Sequence, residues 1–270
     1  MKYTLALVQM RITWQDHEAN LRAMEAAISE SVSAGAQVVV FPEYAITGDL
    51  PQAAESAGLH KNIKTKLQAL AKKYRVDLVP GSMAEKVGKD FFNTAYYIDH
   101  TGKILGKYKK NNLWHPERAT LTAGDKVSVF KTRFGKAGLI ICWDLIFPEI
   151  FRAMIKKGVE VVYCPSYWSV EDAGPGLTID KRSEEKLVDA ACSLRATENE
   201  IILAYCNPAK PKWPSHGATT LGHSQITAPF SGVLGKLNHD KEDILIREID
   251  TDILKVAAKA YTIREDLRRA

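Results

Sequence analysis

The chain has 270 residues, of which 46% are hydrophobic and 26% charged, an ordinary composition for a soluble globular protein. Its formal net charge is only +5, from 37 basic and 32 acidic side chains, and no block of five like charges occurs. The sequence therefore disfavours a nucleic-acid-binding protein. The longest apolar run is about seven residues, far short of the roughly 20 that a membrane helix needs, so no membrane partner is expected.

The first half of the chain predicts short buried strands separated by amphipathic helices. Strands are predicted at 3–9, 37–41 and 77–80, and helices at 17–33 and 61–74, where apolar residues recur at helical spacing. The second strand ends at Pro42-Glu43, which places Glu43 at the rim of a sheet. Residues 99–102 predict the turn of a hairpin between strands at 93–98 and 103–109.

A continuous apolar run marks the middle of the chain. Residues 137–141 have the pattern of a strand buried on both faces, and Cys142 follows directly. Pro148 and Glu149 open an amphipathic helix, which Gly158 ends. A strand at 159–164 then completes a β-α-β unit.

The last part of the chain continues the same alternation. Residues 165–180 predict a loop, and 181–198 predict a helix whose core face uses Leu187, Ala191 and Leu194. Strands are predicted at 127–131, 201–205, 224–228 and 244–249, and the last two dozen residues predict a short helix and a basic tail. No repeat or linker divides the chain, so we expect residues 1–270 to form one domain of α/β or α+β class.

Four widely spaced cysteines and the absence of metal motifs limit the chemistry. The cysteines form no Cys-x-x-Cys pair, and no His-x-x-x-His or Gly-rich phosphate loop occurs, so we expect no zinc, disulfide framework, nucleotide or other cofactor. The N-terminus reaches Gln9 and Arg11 too early for a signal peptide. We expect a reducing, cytoplasmic compartment.

Three reactive side chains stand at the ends of predicted elements: Glu43, Lys110 and Cys142. A cysteine between a strand and a helix has backbone N–H groups nearby, which favour a thiolate and could hold an oxyanion. Each residue alone also has an ordinary interpretation, namely a rim carboxylate, a surface lysine and a buried thiol. Their combination in one chain is what favours a catalytic site.

With their surroundings, these residues resemble the nitrilase superfamily of carbon–nitrogen hydrolases over nearly the whole chain. The resemblance is carried, in order, by Val39-Val-Phe-Pro-Glu43, Gly106-Lys-Tyr-Lys-Lys110 and Ile141-Cys-Trp-Asp144 with Phe147-Pro-Glu149. It implies a four-layer α-β-β-α sandwich, homodimers that stack sandwich on sandwich, and a Glu-Lys-Cys triad. Lys109 stands where arginine is common in the family.

The resemblance also implies a mechanism for the triad. Glu43 would act as general base on Cys142, whose thiolate attacks the carbonyl carbon. Lys110 and the main-chain N–H of Trp143 would stabilise the oxyanion. Glu43 would then protonate the leaving ammonia or amine and activate the water that hydrolyses the thioester. Glu117, at the spacing of a second family glutamate, is expected to orient Lys110 or the substrate.

The expected substrate is a small carboxamide. The Cys-Trp-Asp context of Cys142 is similar to that of amidases and carbamoyl-amine hydrolases, whereas true nitrilases usually carry Cys-Trp-Glu. Tyr167 and Trp168 are bulkier than the residues common at this place, and with Trp143 they are expected to line the pocket and favour a slim or flat acyl group.

Other functions stay open from the sequence. They are the hydrolysis of an N-carbamoyl amine to CO2 and ammonia, a nitrilase, and a catalytically silent relative that binds a small amide or a partner protein. A papain-like Cys-His enzyme is disfavoured, because none of the seven histidines stands in a recognisable signature.

Overall fold

The computed structural model describes residues 1–48, 60–212 and 218–269. The strands of these ranges are β1 Lys2–Gln9, β2 Val38–Val40, β3 Asp77–Val79, β4 Ser82–Val87, β5 Asp90–Ile98, β6 Ile104–Lys109, β7 Ser128–Thr132, β8 Gly135–Leu139, β9 Val161–Pro165, β10 Ile202–Cys206, β11 Gln225–Ala228, β12 Gly232–Lys236 and β13 Asp243–Asp250. The α-helices are α1 His17–Ser33, α2 His60–Tyr74, α3 Pro148–Lys156, α4 Ser183–Glu198, α5 Asp252–Ala260 and α6 Ile263–Arg269. Short 3-10 helices cover Pro116–Ala119, Cys142–Ile146 and Val170–Thr178.

The strands form two mixed sheets. The first has the order β13-β1-β2-β3-β5-β4, with β6 also paired to β5, and the second has the order β12-β11-β10-β9-β8-β7. In each sheet three neighbouring strands are parallel, namely β1, β2 and β3 in the first and β8, β9 and β10 in the second. Functional sites of parallel sheets lie at the carboxyl ends of such strands.

Side-chain alternation along the parallel strands assigns their two faces to different cores. Leu5 and Leu7 of β1 join the core that the two sheets share, whereas Ala6 and Val8 join a second core under α1 and α2. The shared core also contains Phe151 of α3 together with residues of α4 on the far side of the second sheet. Strands buried on both faces explain the continuous apolar runs in the sequence. The layers are therefore helices, sheet, sheet and helices, which confirms the expected α-β-β-α class.

The predicted core face of the helix at 181–198 is confirmed for Ala191 and wrong for the two leucines. Leu187 and Leu194 are 39% and 55% exposed, respectively. The buried face of α4 instead contains Glu184, Val188, Ala191, Cys192, Arg195 and Ala196. The hydrophobic pattern misleads here because two polar residues of the buried face are satisfied by hydrogen bonds: Glu184 accepts from the indole of Trp168, and Arg195 donates to the carbonyl of Leu145.

The sequence analysis also missed two edge strands and a second helix near the C-terminus. The second half of β4 contains the charged residues Glu85 and Lys86, and β12 contains two glycines and lies at the edge of the second sheet, so both lack a clear strand pattern. The expected loop at 165–180 contains a 3-10 helix, and the expected basic tail is helix α6. No helix of the described ranges is long and apolar enough to cross a membrane.

The link between β3 and β4 closely approaches the turn that carries Glu43. Gly81 has φ +80°, and a Cβ there would lie 1.9 Å from the carbonyl oxygen of Pro42. Gly88 has φ +63°, but open space surrounds the position of its missing Cβ. The two glycines therefore share a left-handed backbone and differ in steric contact.

Gly81→Ala should lower the free energy of unfolding by about 3 kcal/mol or more, because a clash with backbone adds to the cost of a left-handed alanine. Gly88→Ala is the matched control and should cost only about 1 kcal/mol. Urea unfolding of the two variants measures the difference. Equal losses of stability would show that Gly81 does not govern the approach to Pro42.

Candidate active site

The predicted catalytic residues meet at the carboxyl ends of strands from both sheets. Glu43 follows β2, Lys110 follows β6, and Ile140 and Ile141 separate Cys142 from β8. The backbone N–H of Glu43 donates to the carbonyl of Ser166, just after β9, at 3.1 Å. This bond joins the rim of the first sheet to that of the second, so the site is built across the interface between the sheets.

Lys110 lies between two carboxylates. Its Nζ is 3.0 Å from Oε1 of Glu43 and 2.7 Å from Oε2 of Glu117, and all three side chains are buried. Its backbone is fixed as well, since the N–H of Lys110 donates to the carbonyl of Asn93 at 2.8 Å. The expectation that Glu117 orients Lys110 is consistent with this geometry.

Glu117 and Glu43 are also linked by Asn93, which sequence reasoning missed. The amide of Asn93 donates to Glu43 at 2.7 Å and to Glu117 at 3.0 Å. Glu117 further accepts from the hydroxyl of Tyr44 at 2.8 Å and from the backbone N–H of Trp114 at 2.7 Å. The one sequence signal for Asn93 was an amide within a buried strand, where an unpaired polar group would be costly.

Burial, the charge of Lys110 and unequal hydrogen bonding together give the two glutamates different pKa values. Burial raises the pKa of Glu43 to about 7, because the attraction of Lys110 only partly opposes it and the charge of Glu117 adds to it. Burial also acts to raise the pKa of Glu117, but Lys110 and the hydrogen-bond donors outweigh it, so that pKa is lowered. Burial alone would lower the pKa of Lys110, yet the two carboxylates together raise it well above its usual value. Lys110 and Glu117 are therefore charged at neutral pH, and Glu43 is poised between its two forms.

Cys142 begins a 3-10 helix in a strained conformation. Its φ is +48°, in the left-handed region that residues other than glycine rarely adopt. Such strain persists only where the surrounding structure imposes it, and it is common at active sites. Burial and the nearby charge of Glu43 raise the pKa of the Cys142 thiol, while Lys110 and the main-chain N–H of Tyr167 oppose this. The resting side chain is thus a thiol, which requires a base for activation.

Asp144 fixes this strained turn and is a second residue whose role the sequence reasoning missed. One of its oxygens accepts from the backbone N–H of Ile141 at 3.0 Å and the hydroxyl of Tyr108 at 2.8 Å. The other accepts two hydrogen bonds from Asn112, each at 2.9 Å. Tyr108 and Asn112 flank Lys110 in sequence, so Asp144 holds the Cys142 turn against the lysine segment.

A small cavity of about 150 Å³ opens over these groups. Its described lining comprises Glu43, Tyr44, Lys110, Trp114, Pro116, Glu117, Cys142, Trp143, Tyr167, Ser169, Asp172 and Ala218. The volume matches that of a cavity able to hold a benzene ring. Trp143 packs edge-on against Trp114, with ring centroids 4.5 Å apart, so aromatic rings form much of the wall.

Trp168 was expected to line the pocket, but the structure places it behind the cavity wall. Trp168 is 1% exposed and lies behind Trp143, 5.5 Å between ring centroids, and it is not part of the described lining. Its indole N–H donates to Glu184 at 2.6 Å, and this partner draws the ring into the core. Tyr167 and Trp143 do line the cavity, as expected from their positions.

The remaining cysteines and the acidic residues suggest no other chemistry in the described ranges. Cys164, Cys192 and Cys206 are free and buried. Within residues 1–48, 60–212 and 218–269, no group of three or more His, Cys, Asp or Glu side chains could hold a metal ion.

The two-sheet sandwich places Glu43, Lys110 and Cys142 at one small cavity, and sequence comparison identifies the family. The sequence model of the carbon–nitrogen hydrolase family matches residues 4–258. The chain belongs to the carbon–nitrogen hydrolase family and is a carbon–nitrogen hydrolase.

Relatives within the nitrilase superfamily cover the whole chain. A 2-oxoglutaramate amidase from Bacillus subtilis is 29% identical, covering 100% of this chain and 99% of the relative. A probable nitrilase from Schizosaccharomyces pombe is 30% identical, covering 98% of this chain and 96% of the relative. A solved structure of a mutant amidase from Nesterenkonia sp. AN1, with the acetamide moiety of fluoroacetamide added covalently at its active-site cysteine, has a TM-score of 0.82 and 25% identity, covering 99% of this chain and 95% of that one.

Asp144→Asn tests the support of the Cys142 turn. Asparagine offers one acceptor oxygen where the carboxylate offers two, so buried donors lose partners, and the free energy of unfolding should fall by about 2–3 kcal/mol. At temperatures well below its unfolding temperature, the variant should show a reduced kcat and little change in KM, because Cys142 is no longer held against Lys110. Chemical unfolding and steady-state kinetics measure both effects.

Tyr108→Phe is the graded control for Asp144→Asn. It removes one donor to Asp144 and should cost about 1 kcal/mol with a smaller loss of kcat. A stable Asp144→Asn protein with unchanged kcat would contradict a positioning role for Asp144.

Proposed function

We propose that this chain hydrolyses the C–N bond of a small carboxamide through a thioester on Cys142, releasing ammonia or amine and a carboxylic acid. The observation that carries the proposal is the contact of the buried Lys110 ammonium with Glu43 at 3.0 Å, in the same cavity as Cys142. A base, a cation and a nucleophile are thereby available to one bound carbonyl group. The amidases among the relatives support this assignment.

Glu43 is the proposed general acid and base. With a pKa of about 7, Glu43 has both its acid and its carboxylate form accessible at neutral pH, which suits a group that must both take and give a proton. Glu43 takes the proton of Cys142 as sulfur attacks the carbonyl carbon. It then gives that proton to the leaving nitrogen. In the second step it accepts a proton from the water that cleaves the thioester and returns it to the departing sulfur of Cys142.

Lys110 is the proposed oxyanion donor, together with the main-chain N–H of Trp143. A fixed ammonium in a site with little water stabilises developing negative charge more than it would in solution. Glu117 does not need to contact the substrate for this role, because it holds Lys110 at 2.7 Å and accepts from Trp114. We assign Glu117 as the residue that positions Lys110.

The proposed acyl group is small and flat. The cavity is about 150 Å³, and the rings of Trp143 and Tyr167 lie on its wall. An amide is favoured over a nitrile by the Cys-Trp-Asp context of the nucleophile. An N-carbamoyl amine is the alternative substrate, since its ureido carbonyl presents the same planar C–N bond to Cys142.

We also propose that residues 1–270 form one domain, that the chain forms homodimers, and that it acts in the cytoplasm. One core cluster contains residues of both sheets, which supports a single domain. Four free buried thiols are typical of a reducing compartment. The family resemblance is what supports the homodimer.

Ammonia release over a panel of primary amides, ureido compounds and nitriles tests the proposed function. We expect release from small amides, with ureido compounds as the alternative and nitriles slower than both. A nitrile turned over faster than every amide and ureido compound would contradict the substrate proposal. A protein that turns over none of them would contradict the hydrolase proposal.

Lys110→Ala should lower the rate of the best amide on the order of 10²- to 10³-fold, as for loss of an oxyanion donor. Lys109→Ala is the matched control, a neighbouring residue of the same type. The ammonium of Lys109 lies over the ring of Phe92, 3.3 Å from its centroid, and away from the cavity lining. Ammonia release by both variants measures the contrast, and a dead Lys109→Ala with an active Lys110→Ala would reverse the assignment.

A further inference from the structure

The charges on the cavity wall favour one class of acyl group. Among the described residues, Lys110 is the one cation on the lining, and Glu43 and Glu117 already contact it. Within the described lining, no further cation could therefore receive the carboxylate of a substrate. It does present one more carboxylate, that of Asp172.

Asp172 is held in place by the backbone. Its Oδ2 accepts from the N–H of Ser169 at 2.8 Å, at the start of the 3-10 helix Val170–Thr178. No lysine, arginine or histidine of the described residues forms an ion pair with it. A partly buried carboxylate without a cationic partner is unusual, because burial penalises its charge.

The acidity of Asp172 agrees with an unmet need for a cation. Burial raises its pKa to about 6; the hydrogen bonds of Ser169 oppose this rise, and the charges of Glu184 and Glu171 add to it. At neutral pH the carboxylate form still predominates. A bound cation would relieve the cost that burial imposes on this charge.

The rest of the wall suits a cation too. Trp114, Trp143 and Tyr167 line the same cavity, and the faces of aromatic rings attract ammonium groups. Aromatic walls also bury the methylene groups between an amide and a terminal amine. The wall thus combines a fixed anion with surfaces that tolerate both parts of an aminoalkyl chain.

We infer that the cavity selects small amides or ureas whose far end carries a protonated amine, and that Asp172 receives this ammonium group. This inference rests on the proposed function for the reacting end of the substrate. It assigns Asp172 as the residue that determines specificity at the other end. A carboxylate at that end would meet Asp172 with like charge and no described cation to pair with.

Three amides of similar size test the inference. Butanamide ends in a methyl group, 3-aminopropanamide places an ammonium at the same position, and malonamate (3-amino-3-oxopropanoate) ends in a carboxylate. For the wild-type protein, kcat/KM should be about 10-fold higher for 3-aminopropanamide than for butanamide, as for a charge-assisted hydrogen bond, and lowest for malonamate. Butanamide or malonamate as the best of the three would overturn the inference.

Asp172→Asn keeps an oxygen for the N–H of Ser169 and removes the charge. The ratio of kcat/KM for 3-aminopropanamide over butanamide should fall about 10-fold. Glu171→Gln is the matched control. It also removes one negative charge, but Glu171 is the preceding residue, and its side chain is exposed and outside the described lining. Its ratio should stay within about twofold of wild type, because exposed charges contribute little. An unchanged ratio in Asp172→Asn would overturn the inference.

Binding of the two amides to the Cys142→Ala variant tests this inference separately from the proposed function. This test does not depend on whether an Asp172 variant folds. Calorimetry should show tighter binding of 3-aminopropanamide than of butanamide. If the wild-type protein hydrolyses no amide while this preference is found, the inference stands and the hydrolase proposal fails. Equal or undetectable binding of the two compounds would overturn the inference, whatever the outcome for hydrolysis.

Discussion

The site depends on the ion pairs that the buried ammonium of Lys110 forms with Glu43 and Glu117. A charge with 1% exposure costs several kcal/mol to desolvate, and Glu43 and Glu117 offset that cost at 3.0 and 2.7 Å. Burial is the main cause of the raised pKa of Glu43. The two carboxylates on one lysine also leave an excess of negative charge, which adds to the rise. The same arrangement that makes a buried lysine tolerable therefore also produces a base suited to neutral pH. Removing either carboxylate would change both the placement of Lys110 and the acidity of the other.

Cys142, the proposed nucleophile, is linked to Lys110 through hydrogen bonds of Asp144. Asp144 joins the turn of Cys142 to Tyr108 and Asn112, on either side of Lys110, so the strained residue and the lysine are positioned together. The hydrogen bond from the Glu43 N–H to Ser166 adds the end of β9 to the same assembly. Glu43, Lys110 and Cys142, the proposed reacting groups, follow strands of both sheets, so their relative positions depend on how the sheets pack. A chain that stacked the sheets differently would keep every motif and lose the site.

The sequence predicted those parts that local pattern determines. Continuous apolar runs marked strands buried on both faces, and reactive residue types at the ends of these runs marked Glu43 and Cys142. It failed where tertiary contacts overrode the pattern: Leu187 is exposed because Glu184 and Arg195 on the opposite face are satisfied by hydrogen bonds. Trp168 was misassigned for the same reason, since a buried partner for its indole cannot be seen in sequence. The roles of Asn93 and Asp144 likewise depend on groups far away in the chain.

Covalent catalysis by Cys142 is the central proposal, and intact mass measured after acid quench during amide turnover tests it most directly. Wild-type protein turning over butanamide should carry a butanoyl group, and peptide mapping should place it on Cys142. The Cys142→Ala protein should carry none and release no ammonia, whereas Cys164→Ala, at another buried thiol, should still acylate. An acyl group found on the Cys142→Ala protein, or ammonia release by it at the wild-type rate, would contradict the account.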